Sequence, residues 1–154
     1  METVLERKNE FMKLAVKQAQ EGMAAGGVPI GAVLVDSLTG KVYGAGHNQR
    51  VQLGSATRHG EIDALEKAGR QPAAVYARTV MFTTLSPCSM CSGAVLLYKI
   101  PVVVLGENET FKGEEELLES RGVRVVRMDD PECKEMMRRF IEEHSDIWNE
   151  DIGV

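Results

Sequence analysis

Two periods of apolar and polar residues run through this chain. Over residues 2 to about 23, Phe11, Leu14, Ala15 and Ala19 recur at helical spacing with Lys and Glu on the other side, which predicts an amphipathic first helix. Gly22, Gly26, Gly27 and Pro29 stop it. IGAVLV and KVYGAGHN, separated by a Gly-containing turn, then read as two strands of a hairpin. A polar loop over residues 51–58 leads into a short helix, HGEIDALEKAGR, which Gly69 and Pro72 end and whose first turn carries His59 and Glu61.

TVMFTTL has the composition of a buried strand and passes through Ser86 and Pro87 into a helix, CSMCSGAVLLYK. PVVVLGEN predicts another buried strand, EEELLESRG a helix, VRVVRM a short strand, and PECKEMMRRFIEEH a last helix opened by Asp130 and Pro131. The tail, residues 145–154, follows. An opening hairpin and then alternating strands and helices predict an α/β fold, a mixed sheet covered by helices on both faces. With 154 residues and 44% hydrophobic content the chain is expected to form a single domain over residues 1–154.

Charge and cysteine usage narrow the chemistry. Eighteen Lys and Arg against 23 Asp and Glu leave a formal charge of -5, the wrong sign for affinity built on phosphate neutralisation, so no nucleic-acid partner is expected. No apolar run approaches the roughly 18–20 residues a bilayer requires, so no membrane partner is expected. The first residues mix both signs of charge, which predicts a cytoplasmic protein. The three cysteines make a disulfide framework improbable. Cys133 reads as a buried, inert residue, and the methionines as core filler or interface.

Cys88 and Cys91 carry more. Two cysteines three apart on a first helical turn direct their sulfurs to a common side, and the positive end of the helix favours the thiolate. His59 offers a third zinc ligand at a second helix start, leaving the fourth tetrahedral position for water, the mark of a catalytic site. Glu61, two residues beyond His59, is placed to reach that water without ligating the metal and to shuttle its proton, first to a ring nitrogen and then to the departing amine. Hydrolytic deamination is the chemistry expected.

H-x-E paired with P-C-x-x-C is the signature of the zinc nucleobase deaminases. The segments GGVPIGAVLV, GHNQR, GSATRHGEI, TTLSPCSMCSGA, IPVVVLGEN, FKGE and WNEDIG extend the likeness over nearly the whole chain, which resembles the fungal-type cytosine deaminases of the cytidine deaminase superfamily. The resemblance implies a three-layer α/β/α sandwich with a five-stranded mixed sheet, a homodimer, and one zinc ion per subunit. It implies His59, Cys88 and Cys91 as zinc ligands, Glu61 as proton shuttle, and hydrolysis of free cytosine to uracil and ammonia in pyrimidine salvage. It further implies that Asn48 and the backbone amide of Gly60 hold the 2-oxo edge of the ring, and that the Ser86 carbonyl faces the amine. Phe111 and Trp148 would close the pocket, with Asp151 reaching it from the tail. Val51 stands where the family carries an aromatic, and the loop after Phe111 is one residue shorter, which bears on pocket shape.

Other readings compete on particular residues. A redox C-x-x-C has no need of His59 or Glu61. A structural zinc site would need a fourth protein ligand, for which His47 is the serious rival, and it has no need of Glu61 beside an open position. Guanine or another nucleobase is an alternative substrate, since zinc and Glu61 do not choose the ring, and adenosine in RNA is a second alternative that the acidic charge disfavours.

Overall fold

The computed structural model describes residues 2–154. In chain order its elements are α1 (Glu2–Glu6), α2 (Lys8–Ala24), β1 (Gly31–Asp36), β2 (Val42–His47), α3 (Arg50–Leu53), α4 (Gly60–Ala68), α5 (Ala73–Tyr76), β3 (Thr79–Leu85), α6 (Ser89–Leu97), β4 (Val102–Glu107), α7 (Glu115–Ser120), β5 (Arg124–Arg127), α8 (Pro131–Glu143) and α9 (Ser145–Asp151). The strands form one five-stranded sheet in the order β2-β1-β3-β4-β5. β1 pairs antiparallel with β2 and β3, whereas β3, β4 and β5 are parallel.

Strand side chains alternate between two cores, because successive residues of a strand face opposite ways. Val33, Val35, Val80, Phe82, Val102 and Val104 pack with Phe11, Met12, Ala15 and Val16 of α2 and with Cys133 of α8. Ala32, Leu34, Met81 and Val103 pack on the other face with Ala64 and Ala68 of α4, Val95 of α6 and Leu118 of α7. The molecule is therefore a three-layer α/β/α sandwich. Gly31 lets α2 approach the sheet: a Cβ there would lie 2.0 Å from the Ala15 carbonyl oxygen. Gly44 does the same for α4 on the opposite face, where a Cβ would lie 2.3 Å from the Ala64 oxygen.

Four features differ from the sequence expectation. The first helix breaks at Arg7, whose N–H bonds the Val4 carbonyl, so α1 and α2 are separate. Leu14 lies off the buried stripe of α2 and is exposed, because Met12, Ala15, Val16 and Ala19 define the inner face. Part of the expected polar loop is the short helix α3, and most of the tail is helix α9. Among the described residues, no helix is long and apolar enough to cross a membrane.

Candidate metal centre and pocket

The carboxyl ends of β3 and β4, the end of β2 and the start of β1 meet at one edge of the sheet, the usual place for a site in an open α/β fold. His59 caps the N-terminus of α4 and Cys88 that of α6, and neither side chain spends its polar atom on capping. Both extended backbones instead project their side chains into the gap between the two helix starts. His59 Nδ1 lies 3.4 Å from Cys88 Sγ and 3.8 Å from Cys91 Sγ. The three ligand atoms lie within 4.8 Å of one another. Two sulfurs and one imidazole nitrogen converging in this way suit zinc, a borderline-soft ion that takes such donors.

Electrostatics match. The Cys91 thiol hydrogen-bonded to it, opposed by burial and helped by His59, brings the Cys88 pKa down to about 4. Burial works to lower the His59 pKa, yet the Cys88 thiolate and the Asp151 and Glu61 carboxylates outweigh it and raise the value to about 9. Its hydrogen bond to Cys88 and its burial push the Cys91 thiol well above the usual range. Deprotonated, these side chains would present two thiolates and one imidazole nitrogen to a divalent cation. Glu61 is buried beside it, and burial followed by the Cys88 charge pushes its carboxyl up to about 7.

His59 presents its other nitrogen, Nε2, to Asp151 Oδ2 at 3.5 Å, the position of an orienting outer-sphere carboxylate. Asp151 in turn accepts a hydrogen bond of 2.7 Å from Asn48 Nδ2. Asn48 Oδ1 accepts from the Arg50 backbone N–H at 3.0 Å. An amide group has two N–H bonds and two carbonyl lone pairs, so one donor and one acceptor of Asn48 remain beyond these two bonds.

Ile30, His59, Glu61, Leu85, Ser86, Cys88, Phe111, Trp148, Asp151 and Ile152 line a cavity of about 20 Å³. That is room for about one water. Phe111 and Trp148 meet edge to face at 5.7 Å and form the apolar cover. Of the residues expected at the pocket, Glu61, Ser86, Phe111, Trp148 and Asp151 line it, while Asn48 reaches it through Asp151. Gly60 is at the start of α4 against the Ile30 carbonyl, 3.0 Å from where its Cβ would be. Val51 is exposed on α3, away from the lining. The loop after Phe111 is drawn in tightly, since the Gly113 N–H bonds Ser86 Oγ at 2.9 Å and a Cβ on Gly113 would lie 1.8 Å from the Pro87 oxygen. His47 stands apart from the metal-ligating group, its Nδ1 3.2 Å from the Asn48 carbonyl oxygen. Cys133 is fully buried in the core, as expected of an inert cysteine.

Sequence reading missed Ile30, Leu85 and Ile152 as pocket walls, and it missed Glu115. That carboxylate, fully buried at the start of α7, accepts from Ser86 Oγ at 2.6 Å, Asn108 at 3.2 Å and Arg127 at 2.7 Å, and it anchors the Ser86 turn. Its signal was hidden in the acidic run GEEELLES, which reads as a solvated helix face. A larger cavity of about 560 Å³ lies between α2 and α8, lined by Met23, Met136 and Phe140 among others. It holds none of the ligating set, so the small cavity at the helix starts is the one that carries chemistry.

Residues 5–107 match the sequence family described as the cytidine and deoxycytidylate deaminase zinc-binding region. The chain belongs to this family. A cytosine deaminase of Candida albicans is 49% identical over 142 residues, which is 92% of this chain and 94% of that protein. A tRNA-specific adenosine deaminase of Streptococcus pyogenes is 36% identical over 115 residues, 73% of this chain and 71% of that protein. A solved structure from work on A-to-I editing by tRNA:A34 deaminases superposes with a TM-score of 0.68 at 26% identity, covering 83% of this chain and 99% of that one. The chain is thus a zinc-dependent deaminase with the cytidine deaminase fold.

Proposed function

We propose that this deaminase converts free cytosine and water to uracil and ammonia, as a cytoplasmic homodimer working in pyrimidine salvage. One observation carries the reading: a buried carboxylate, Glu61, stands beside a three-ligand metal set inside a cavity that an aromatic pair covers and the C-terminal helix completes. A cavity of that kind suits a small uncharged ring better than a nucleotide within a polymer. The extent and degree of identity to the Candida cytosine deaminase support cytosine among the possible rings.

Held by His59, Cys88 and Cys91, zinc supplies the Lewis acidity that makes water a competent nucleophile near neutral pH. Glu61 does the proton work: its carboxylate takes a proton from the attacking water and gives it to the ring nitrogen beside the attacked carbon, then takes the second proton from the hydroxyl now on that carbon and gives it to the amine, which leaves as ammonia as the carbonyl forms. The remaining donor and acceptor of Asn48, with the Gly60 amide, hold the 2-oxo edge of the ring. The Ser86 carbonyl accepts from the amine, and Asp151 steadies both Asn48 and His59. Phe111 and Trp148 stack over the ring and exclude bulk water. The exposed Leu97 and Tyr98 on the α6 side of the molecule offer apolar area for a second copy to bury.

Purified zinc-loaded protein is given cytosine, cytidine, adenine and guanine separately, and ammonia release is followed, with a chelated sample as control. Turnover of cytosine that chelation abolishes is the expected result. Turnover confined to guanine or adenine, or none with any of the four, overturns the cytosine assignment. Sedimentation of the parent as a dimer and of Leu97→Glu as a monomer tests the assembly.

A further inference from the structure

Asp63 lies two residues beyond Glu61 on α4 and is fully buried. A buried carboxylate survives only if its oxygens are well supplied with donors. Asp63 has four. Oδ1 accepts from Gln49 Nε2 at 2.9 Å and Arg58 Nε at 2.8 Å, and Oδ2 accepts from the His47 backbone N–H at 2.9 Å and Lys67 Nζ at 3.0 Å. Gly46 gives this oxygen its space, since a Cβ there would come within 2.6 Å of it.

The origin of these donors matters more than their number. His47 and Gln49 flank Asn48, and Arg58 directly precedes His59. The same two segments meet again where the Gln49 N–H bonds the Arg58 carbonyl at 2.9 Å, and the first turn of α4 ties Asp63 to the metal-ligand residue itself, the Asp63 N–H bonding the His59 carbonyl at 2.8 Å. One side chain therefore grips the chain on both sides of the base-reading amide and immediately before the metal ligand.

We propose that Asp63 is a positioning residue of the site, setting Asn48 at a fixed distance and angle from His59 and so aligning the held edge of the base with the metal. This rests on the deaminase reading above. Asp63 touches neither base nor metal and acts through its neighbours. A substrate held by one segment and attacked from another reacts only when the two are registered, and errors of about 1 Å cost on the order of a hundredfold.

The two grips are separable. Gln49→Met loosens only the Asn48 side, and Arg58→Met only the His59 side. Gln49→Met is expected to raise KM for cytosine about tenfold while the visible bands of the cobalt-substituted protein stay unchanged. Arg58→Met is expected to shift those bands and to speed zinc loss to a chelator, with KM nearly at the parental value. Asp63→Asn, which turns an amide N–H toward cationic donors, is expected to show both effects. A folded Asp63→Asn protein holding one zinc per chain, with KM within twofold of the parent and unchanged cobalt bands, overturns the proposal even if it melts earlier. Should Asp63→Asn fail to fold, parental KM and parental bands in both single variants overturn it equally. If the parent itself does not turn over cytosine, the functional reading falls, while the cobalt bands and zinc release still report on Asp63.

Discussion

Glu61 and Asp36 are both buried carboxylates, and their surroundings send them in opposite directions. Burial and the charge on Cys88 push Glu61 up to about 7, which suits a group that must both take and give a proton. Glu61→Gln keeps the shape and loses that capacity, so zinc content should stay at the parental level while kcat for cytosine falls by about 10³. Burial also opposes ionisation of Asp36, but Arg78, Tyr43 and the Leu38 and Thr39 N–H groups outweigh it and hold the carboxyl well below the usual range. A depressed folded pKa gives stability that is complete above the unfolded value of about 3.9 and is lost as pH falls below it. Urea midpoints measured at pH 6 and pH 3 should therefore fall further in the parent than in Asp36→Asn. At this scale His59, Glu61, Cys88 and Cys91 were legible because their residue types have few other uses at that spacing. Asp63 and Glu115 were not, because most of their partners lie in other segments and nothing local distinguishes them from surface charges.

Helices and strands were legible where burial imposes a period. TVMFTTL and PVVVLGEN show no alternating polar face because helices cover both faces of the central strands, and every residue of β3 and β4 is buried. Short helices such as α3 and α9 escape sequence periodicity: the seven residues of α9 are too few to show a stripe, and so short a helix is stabilised by packing rather than by propensity. Its Trp148 sits in the apolar cluster with Val28, Ile30, Leu85, Met137 and Phe140. Trp148→Ala should cost about 3–5 kcal/mol if the cluster fails to collapse, and should raise KM for cytosine more than it lowers kcat, measured by thermal unfolding and steady-state assay. At the start of β1, next to Ile30 of that cluster, Gly31→Ala drives a methyl group into the α2 backbone and should cost about 3 kcal/mol, measured by thermal unfolding.

Over the whole molecule, a metal held by His59, Cys88 and Cys91 would join the starts of α4 and α6, so it should stabilise the fold as well as the reaction. Anything that binds only the folded chain stabilises it by mass action, about 4 kcal/mol at a thousandfold excess over Kd. Chelation should thus lower the melting temperature, and the drop should shrink as pH falls, because protons compete for Cys88, Cys91 and His59. The layered architecture was legible from the order of elements, while the closure of the site by Phe111, Trp148 and Asp151 was expected from the family resemblance and not from periodicity, since it depends on where the last helix docks. The docking of α9 has a temporal side. His59, Glu61, Cys88 and Cys91 all precede α9 in the chain, so a ribosome completes the metal ligands before it makes Trp148 and Asp151. Metal can be taken up by a nascent chain whose pocket is still open, and the roof is the last part of the site to be built.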